Sequence, residues 1–160
     1  MLIDKQKWGI FMKLKRIFAA VVSTACIMLA GCDFKTTRSY TYEVDTGDKV
    51  KVTLDTSDGY KLSKDVPFEI SKDGEVQTTG SFLKENGFDL YKAAVGLEKD
   101  AEIIDSGEKD GHEYIFVNVG DSEFNYVIKL GNSETGVLLR NKVSEDSAKE
   151  CFERLVFEVK

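Results

Sequence analysis

The sequence predicts an α+β fold: an antiparallel β-sheet of hairpins and a meander, packed by two helices. Three observations carry that prediction. Short stretches of alternating apolar and polar residues recur between Tyr40 and Arg140, the period of strands that bury one face. Asp-Gly pairs at 73–74 and 110–111 stand between such stretches, where a tight hairpin turn needs positive φ angles. Two segments, from Phe88 and from Ser144, instead repeat their apolar residues at helical spacing. There is a single proline and no serine, glycine or proline tract, so residues 40–160 read as one globular domain.

Taken in order, YTYEVD (40–45) and KVKVTL (49–54) alternate across the turn TGD and form the first hairpin. PFEIS (67–71) and EVQTTGSF (75–82) flank the first Asp-Gly pair and form the second. Phe88, Tyr91, Ala94 and Val95 make the apolar stripe of a helix that Gly96 is placed to stop. AEIIDS (101–106), HEYIFVNV (112–119), EFNYVIKL (123–130) and TGVLLR (135–140) follow as a meander. Tyr114, Ile115, Phe116 and Val117 are contiguous and apolar, which predicts a strand covered on both faces. The closing helix, SEDSAKECFERL (144–155), has Ser144 as a cap and Glu145 and Asp146 at the positive end of its dipole. Its buried face is Ala148, Cys151, Phe152 and Leu155.

The N-terminal segment has a different character. From Met12, a candidate start, Lys13, Lys15 and Arg16 precede the uncharged run Ile17–Leu29, the charged and apolar regions of an export signal. That run falls short of the ~20 apolar residues a membrane-crossing helix needs. It ends in Leu29-Ala30-Gly31-Cys32, which resembles the lipobox of bacterial lipoproteins. The resemblance implies that residues 1–31 are a signal peptide with Leu29, Ala30 and Gly31 recognised by signal peptidase II. Cys32 becomes the first residue, its sulfur joined to a diacylglycerol. Thiolate chemistry suits the acceptor, and two acyl chains at about 0.8 kcal/mol per buried CH₂ give firm anchoring. Asp33 resembles the signal that keeps a lipoprotein on the cytoplasmic membrane. Residues 32–39 then form the lipidated cysteine and a short tether on the outer leaflet of that membrane.

Five of the 22 basic residues and one of the 28 acidic ones fall in residues 1–31, leaving 17 and 27 from Cys32 onward, a net charge of −10. Nucleic acid and anionic lipid surfaces repel such a domain, so neither is expected as a ligand. The search for chemistry finds little. His112, the only histidine, directly follows the second Asp-Gly pair and is expected to be a solvated turn residue. Cys151 is expected to be a small buried hydrophobe on its helix. DTSDG (55–59) lacks the ligand pattern of a calcium loop, GNSETG (131–136) has the wrong spacing for a serine nucleophile, and no cofactor or metal site is expected.

The hairpin FEISKDGEV, the aromatic-rich helix after it and the closing FERLVFEV resemble the PsbP-like fold, over most of residues 60–160. Members of that fold mostly bind protein partners. The expectation is a non-catalytic envelope domain that binds a protein partner or an extracellular ligand. The alternative is a small-molecule-binding or hydrolytic surface lipoprotein that uses an acidic cleft.

Overall fold

Ten strands in two antiparallel sheets, with two α-helices, make an α+β architecture in the computed structural model, which describes residues 36–160. β1 (Thr37–Glu43) and β2 (Lys49–Asp55) form the first hairpin. A 3₁₀ turn (Ser57–Gly59) leads to β3 (Tyr60–Leu62), followed by β4 (Phe68–Lys72), β5 (Glu75–Leu83) and α1 (Gly87–Val95). The meander is β6 (Ala101–Lys109), β7 (His112–Val119), β8 (Glu123–Lys129) and β9 (Gly136–Asn141). α2 (Glu145–Glu153) and β10 (Leu155–Val159) close the chain.

One sheet has three strands, ordered β1-β2-β10; the other has seven, ordered β3-β4-β5-β9-β8-β7-β6. Asp73 and Gly74, and likewise Asp110 and Gly111, all have positive φ, as the two hairpin turns require. The alternating strands place their apolar sets as the period-2 pattern demands. Val50, Val52 and Leu54 of β2 point inward with Leu155 and Phe157 of β10, and they meet Phe116, Tyr126, Ile128, Val137 and Leu139 from the large sheet. The opposite face of the large sheet carries Ile115, Val117, Val127 and Leu138, which α1 covers with Phe88 and Val95. β7 is therefore buried on both faces, as its contiguous apolar run predicts, and it stands one place from the sheet edge.

Three expectations are corrected, and one strand is additional. β1 begins at Thr37, inside the stretch expected to be tether, because Thr37 pairs with Asp55 and the Thr36 carbonyl accepts from Thr56 N at 2.7 Å. The α1 stripe is Phe88, Tyr91 and Val95; Ala94 is exposed, and Gly96 keeps a right-handed conformation at φ −66°. The closing helix stops at Glu153, so Leu155 is buried from β10, whose Leu155 and Phe157 pair with Leu54 and Val52 of β2. Period-2 placement of Leu155, Phe157 and Val159 outweighs the helical register that reaches Leu155. β3 is a strand of three residues, too short to leave a periodic signal.

Candidate functional site

Leu29, Ala30, Gly31 and Cys32 lie outside the described residues. Within them, three polar clusters concentrate the charged and buried groups, and each is held by contacts that fix the fold.

The first is built on the free edge of β10. Leu155 and Phe157 turn their carbonyls away from β2, and side chains from the β6–β7 hairpin satisfy them. Lys109 Nζ donates to Phe152 O at 2.7 Å, Glu153 O at 3.0 Å and Leu155 O at 3.2 Å, capping the end of α2. It also lies 4.6 Å from the Phe152 ring centroid. A cation at the negative end of a helix is favourable, although burial lowers the Lys109 pKa more than nearby Glu153 and Asp110 raise it. His112 Nε2 donates to Phe157 O at 2.9 Å. The expectation of a solvated His112 is thus overturned: the ring is half-buried against Phe157 because the two-residue turn folds it under β10. The space beside it is about 10 Å³, lined by His112, Lys109, Ile128 and Phe157 among others, no more than one water could fill.

The second cluster joins the 3₁₀ turn to α2. Arg154 donates to Asp58 Oδ2 at 2.6 Å and to Ser57 O and Oγ at 3.2 and 2.9 Å. Its guanidinium also stacks on Tyr60 at 4.2 Å. This is the conformation that DTSDG adopts, with Asp58 at φ 59°. Every cationic group in it is already paired, Lys72 with Glu150 at 3.4 Å included, which leaves none for an anionic ligand.

The third cluster ties the β1–β2 turn to the β8–β9 turn. Ser133 Oγ and Thr135 Oγ1 donate to Asp48 Oδ2 at 2.5 and 2.8 Å. These hydroxyls hold the Asp48 pKa below the usual carboxylate value. Thr46 and Thr135 also hydrogen-bond each other. Ser133 and Thr135 belong to GNSETG, so that motif is a clasp between turns. Nothing in the local sequence announces it, since Asp48 lies 85 residues away.

Cys151 is fully buried and is a free thiol, as its place on the α2 stripe predicts. Beneath it Asn141 Nδ2 donates to Thr78 Oγ1 and Ser147 Oγ, each at 3.0 Å, joining β9, β5 and α2. Burial raises the Cys151 pKa, so the nucleophilic thiolate is scarce as well as inaccessible. A Cys26→Ser, Cys32→Ala chain, in which Cys151 is the remaining cysteine, should resist a bulky maleimide for an hour while folded and react completely in denaturant. Labelling of the folded chain would place the thiol at an accessible surface instead.

Two hollows remain. One of about 220 Å³ lies between the 44–46 turn and the end of β5, with Val44, Val66, Phe82 and Leu83 as its apolar wall and Glu43, Asp45 and Lys84 at its rim. Asp45 and Lys84 pair across it at 3.7 Å. The other, about 410 Å³, is an open polar depression where Lys99–Glu102 meets Asn118, Gly120 and Asp121. Among the described residues no group of three His, Cys, Asp or Glu side chains could hold a metal ion, and no helix is long and apolar enough to cross a membrane.

A further open surface feature is an edge. β6 pairs with β7 and with no other described strand, and residues 102–108 are all exposed. Its register shifts between Ile103 and Asp105, leaving Ile104 as the extra residue of a bulge. In comparisons with known proteins, no family model, no curated protein and no solved structure matches this chain.

Proposed function

We propose that the chain is an exported bacterial lipoprotein. On this reading its folded domain is held through diacylated Cys32 at the outer leaflet of the cytoplasmic membrane and works by binding, without catalysis, a protein partner or an extracellular ligand. The observation that carries it is Leu29-Ala30-Gly31-Cys32 at the end of a charged and then apolar N-terminal segment. The start of β1 sets its reach. Thr37 is five residues beyond Cys32, a reach of at most about 17 Å, so the domain would ride close to the bilayer.

Binding is favoured over catalysis by what the polar clusters already do. Lys109, Arg154 and Asp48 are each engaged by contacts that fix turns and helix ends, and the sole histidine serves a strand edge. The alternative reading, a small-molecule or hydrolytic cleft, has its best candidate in the hollow walled by Phe82 and rimmed by Glu43 and Asp45. There Asp45 is already paired with Lys84 at 3.7 Å.

A Cys32→Ala substitution tests the anchor. The unaltered protein should sediment with membranes and incorporate a labelled fatty acid. The variant should lose the label and migrate as the uncleaved precursor. A variant with unchanged mobility and undiminished label would refute lipidation at Cys32.

A further inference from the structure

We propose that the free edge of β6 is the binding surface of this domain, and that its partner is an extended protein segment carrying lysine or arginine at alternate positions, which adds to the large sheet as an eighth strand. The proposal rests on the reading of the domain as a binding module and names the partner's chemistry.

Four sheet edges exist in the two sheets of the described residues, and β6 is the longest strand among them. β10 has its outward carbonyls taken by Lys109 and His112. β3 is three residues long. β1 offers seven residues, and Glu43, its one carboxylate, is paired with Lys49 at 3.0 Å. β6 offers nine residues, about 30 Å of strand, with outward backbone groups on alternate residues, among which the Ser106 N–H is met by Asp105 Oδ1 at 2.8 Å. Lys109 and His112 flank the Asp110-Gly111 turn, which makes them a hydrogen-bonded pair. Counting back from it, Ser106 and Glu108 direct their backbone groups outward.

The side chains along this edge select the guest. Glu102, Asp105 and Glu108 make no ion pair among the described residues. Two neighbouring cations are engaged elsewhere: Lys109 by three backbone carbonyls and Lys149 by Glu145 at 2.6 Å. Without a bulge, residues three apart would face opposite sides. The extra residue Ile104 brings Glu102 and Asp105, opposite Asn118 and Phe116 of β7, onto one side of the sheet. Two cations at positions i and i+2 of an incoming strand would meet them, with the residue between falling beside Ile103, itself 40% exposed.

A second copy of this chain is a poor guest by the same geometry. Antiparallel pairing centred on Asp105 would set the two Asp105 carboxylates against each other, and like charges directly opposite destabilise a sheet. The carboxylates and the bulge thus guard the edge against self-association while leaving it open to a basic strand.

The test measures binding of a fluorescent nine-residue peptide of alternating lysine and valine to the full chain in a non-ionic detergent, by anisotropy. Saturable binding is expected, with none for the glutamate-valine peptide and none for a lysine-valine peptide methylated on alternate backbone nitrogens. The Glu102→Gln, Asp105→Asn, Glu108→Gln variant should bind about tenfold more weakly. Glu108→Pro removes an outward N–H that β7 does not use and should abolish binding, beyond the loss caused by Glu108→Gln alone, with the thermal midpoint kept. The proposal is overturned if the lysine-valine peptide fails to bind at millimolar concentration, or if the methylated or glutamate peptide binds the unaltered chain equally well. The Cys32→Ala chain, run in parallel, should bind as the unaltered one does. Failure of the anchor would appear in fractionation and fatty-acid labelling, and failure of the edge would appear here.

Discussion

Phe152→Ala is expected to lower the stability of the domain by about 3–5 kcal/mol, the cost typical of deleting a large buried aromatic. Total stabilities of ordinary domains are about 5–15 kcal/mol, so the variant should approach or cross its unfolding midpoint at 37 °C. The reason lies in how α2 is attached. Phe152 stacks on Tyr126 with centroids 4.0 Å apart and planes 15° off parallel, and Tyr126 stacks in turn on Phe116 at 4.2 Å. Tyr114 meets Phe152 edge-on at 5.0 Å. This column of rings runs from the helix into β8 and β7, so removing Phe152 opens a cavity at the junction of both sheets and the helix. It also strips Lys109 of the ring beneath its ammonium group. Denaturant titration with two probes measures the loss; a change below 1 kcal/mol would show that α2 does not depend on this column.

Gly80→Ala should cost about 1–3 kcal/mol, and it acts by crowding. Gly80 of β5 pairs with Phe68 of β4, whose ring lies over the glycine. A Cβ built at position 80 would sit 2.1 Å from Phe68 Cζ, well inside contact distance. Phe68 has no room to withdraw: it is fully buried, with Tyr42 and Phe82 at centroid distances of 5.8 and 5.9 Å. Forcing extra carbon into a packed site costs about 1–3 kcal/mol. A smaller residue at position 68 should relieve it, so Phe68→Leu and Gly80→Ala together should cost at least 1 kcal/mol less than the sum of the two singles. Strict additivity in that double-mutant cycle would contradict the clash.

These two sites also show what the sequence makes legible. Phe152 is readable from the helical stripe that begins at Ser144, and its partners from the alternation of Phe124, Tyr126 and Ile128. The Asp-Gly turns and the two-faced burial of β7 are equally local. What lay beyond reach depends on partners distant in the chain. The dependence of Gly80 on Phe68 requires the β4–β5 register. The placement of LVFEV beside β2, which divides the strands between two sheets, is a pairing across some hundred residues. The change in His112 from solvated turn to strand-edge donor follows from that same pairing, because β10 supplies the carbonyl. The acidic edge was half visible. AEIIDS reads as a strand, but the bulge at Ile104 that sets Glu102 and Asp105 on one side is a property of the ladder with β7.

The anchor at Cys32 remains the claim on which the functional account turns, and the mass of the N-terminal peptide tests it most directly. Protein extracted from membranes with non-ionic detergent, digested and analysed by mass spectrometry, should yield a peptide that begins at Cys32 and carries the added mass of a diacylglyceryl group. A peptide extending through Gly31 into Cys32 with an unmodified thiol, recovered as the main species from the membrane fraction, would contradict it.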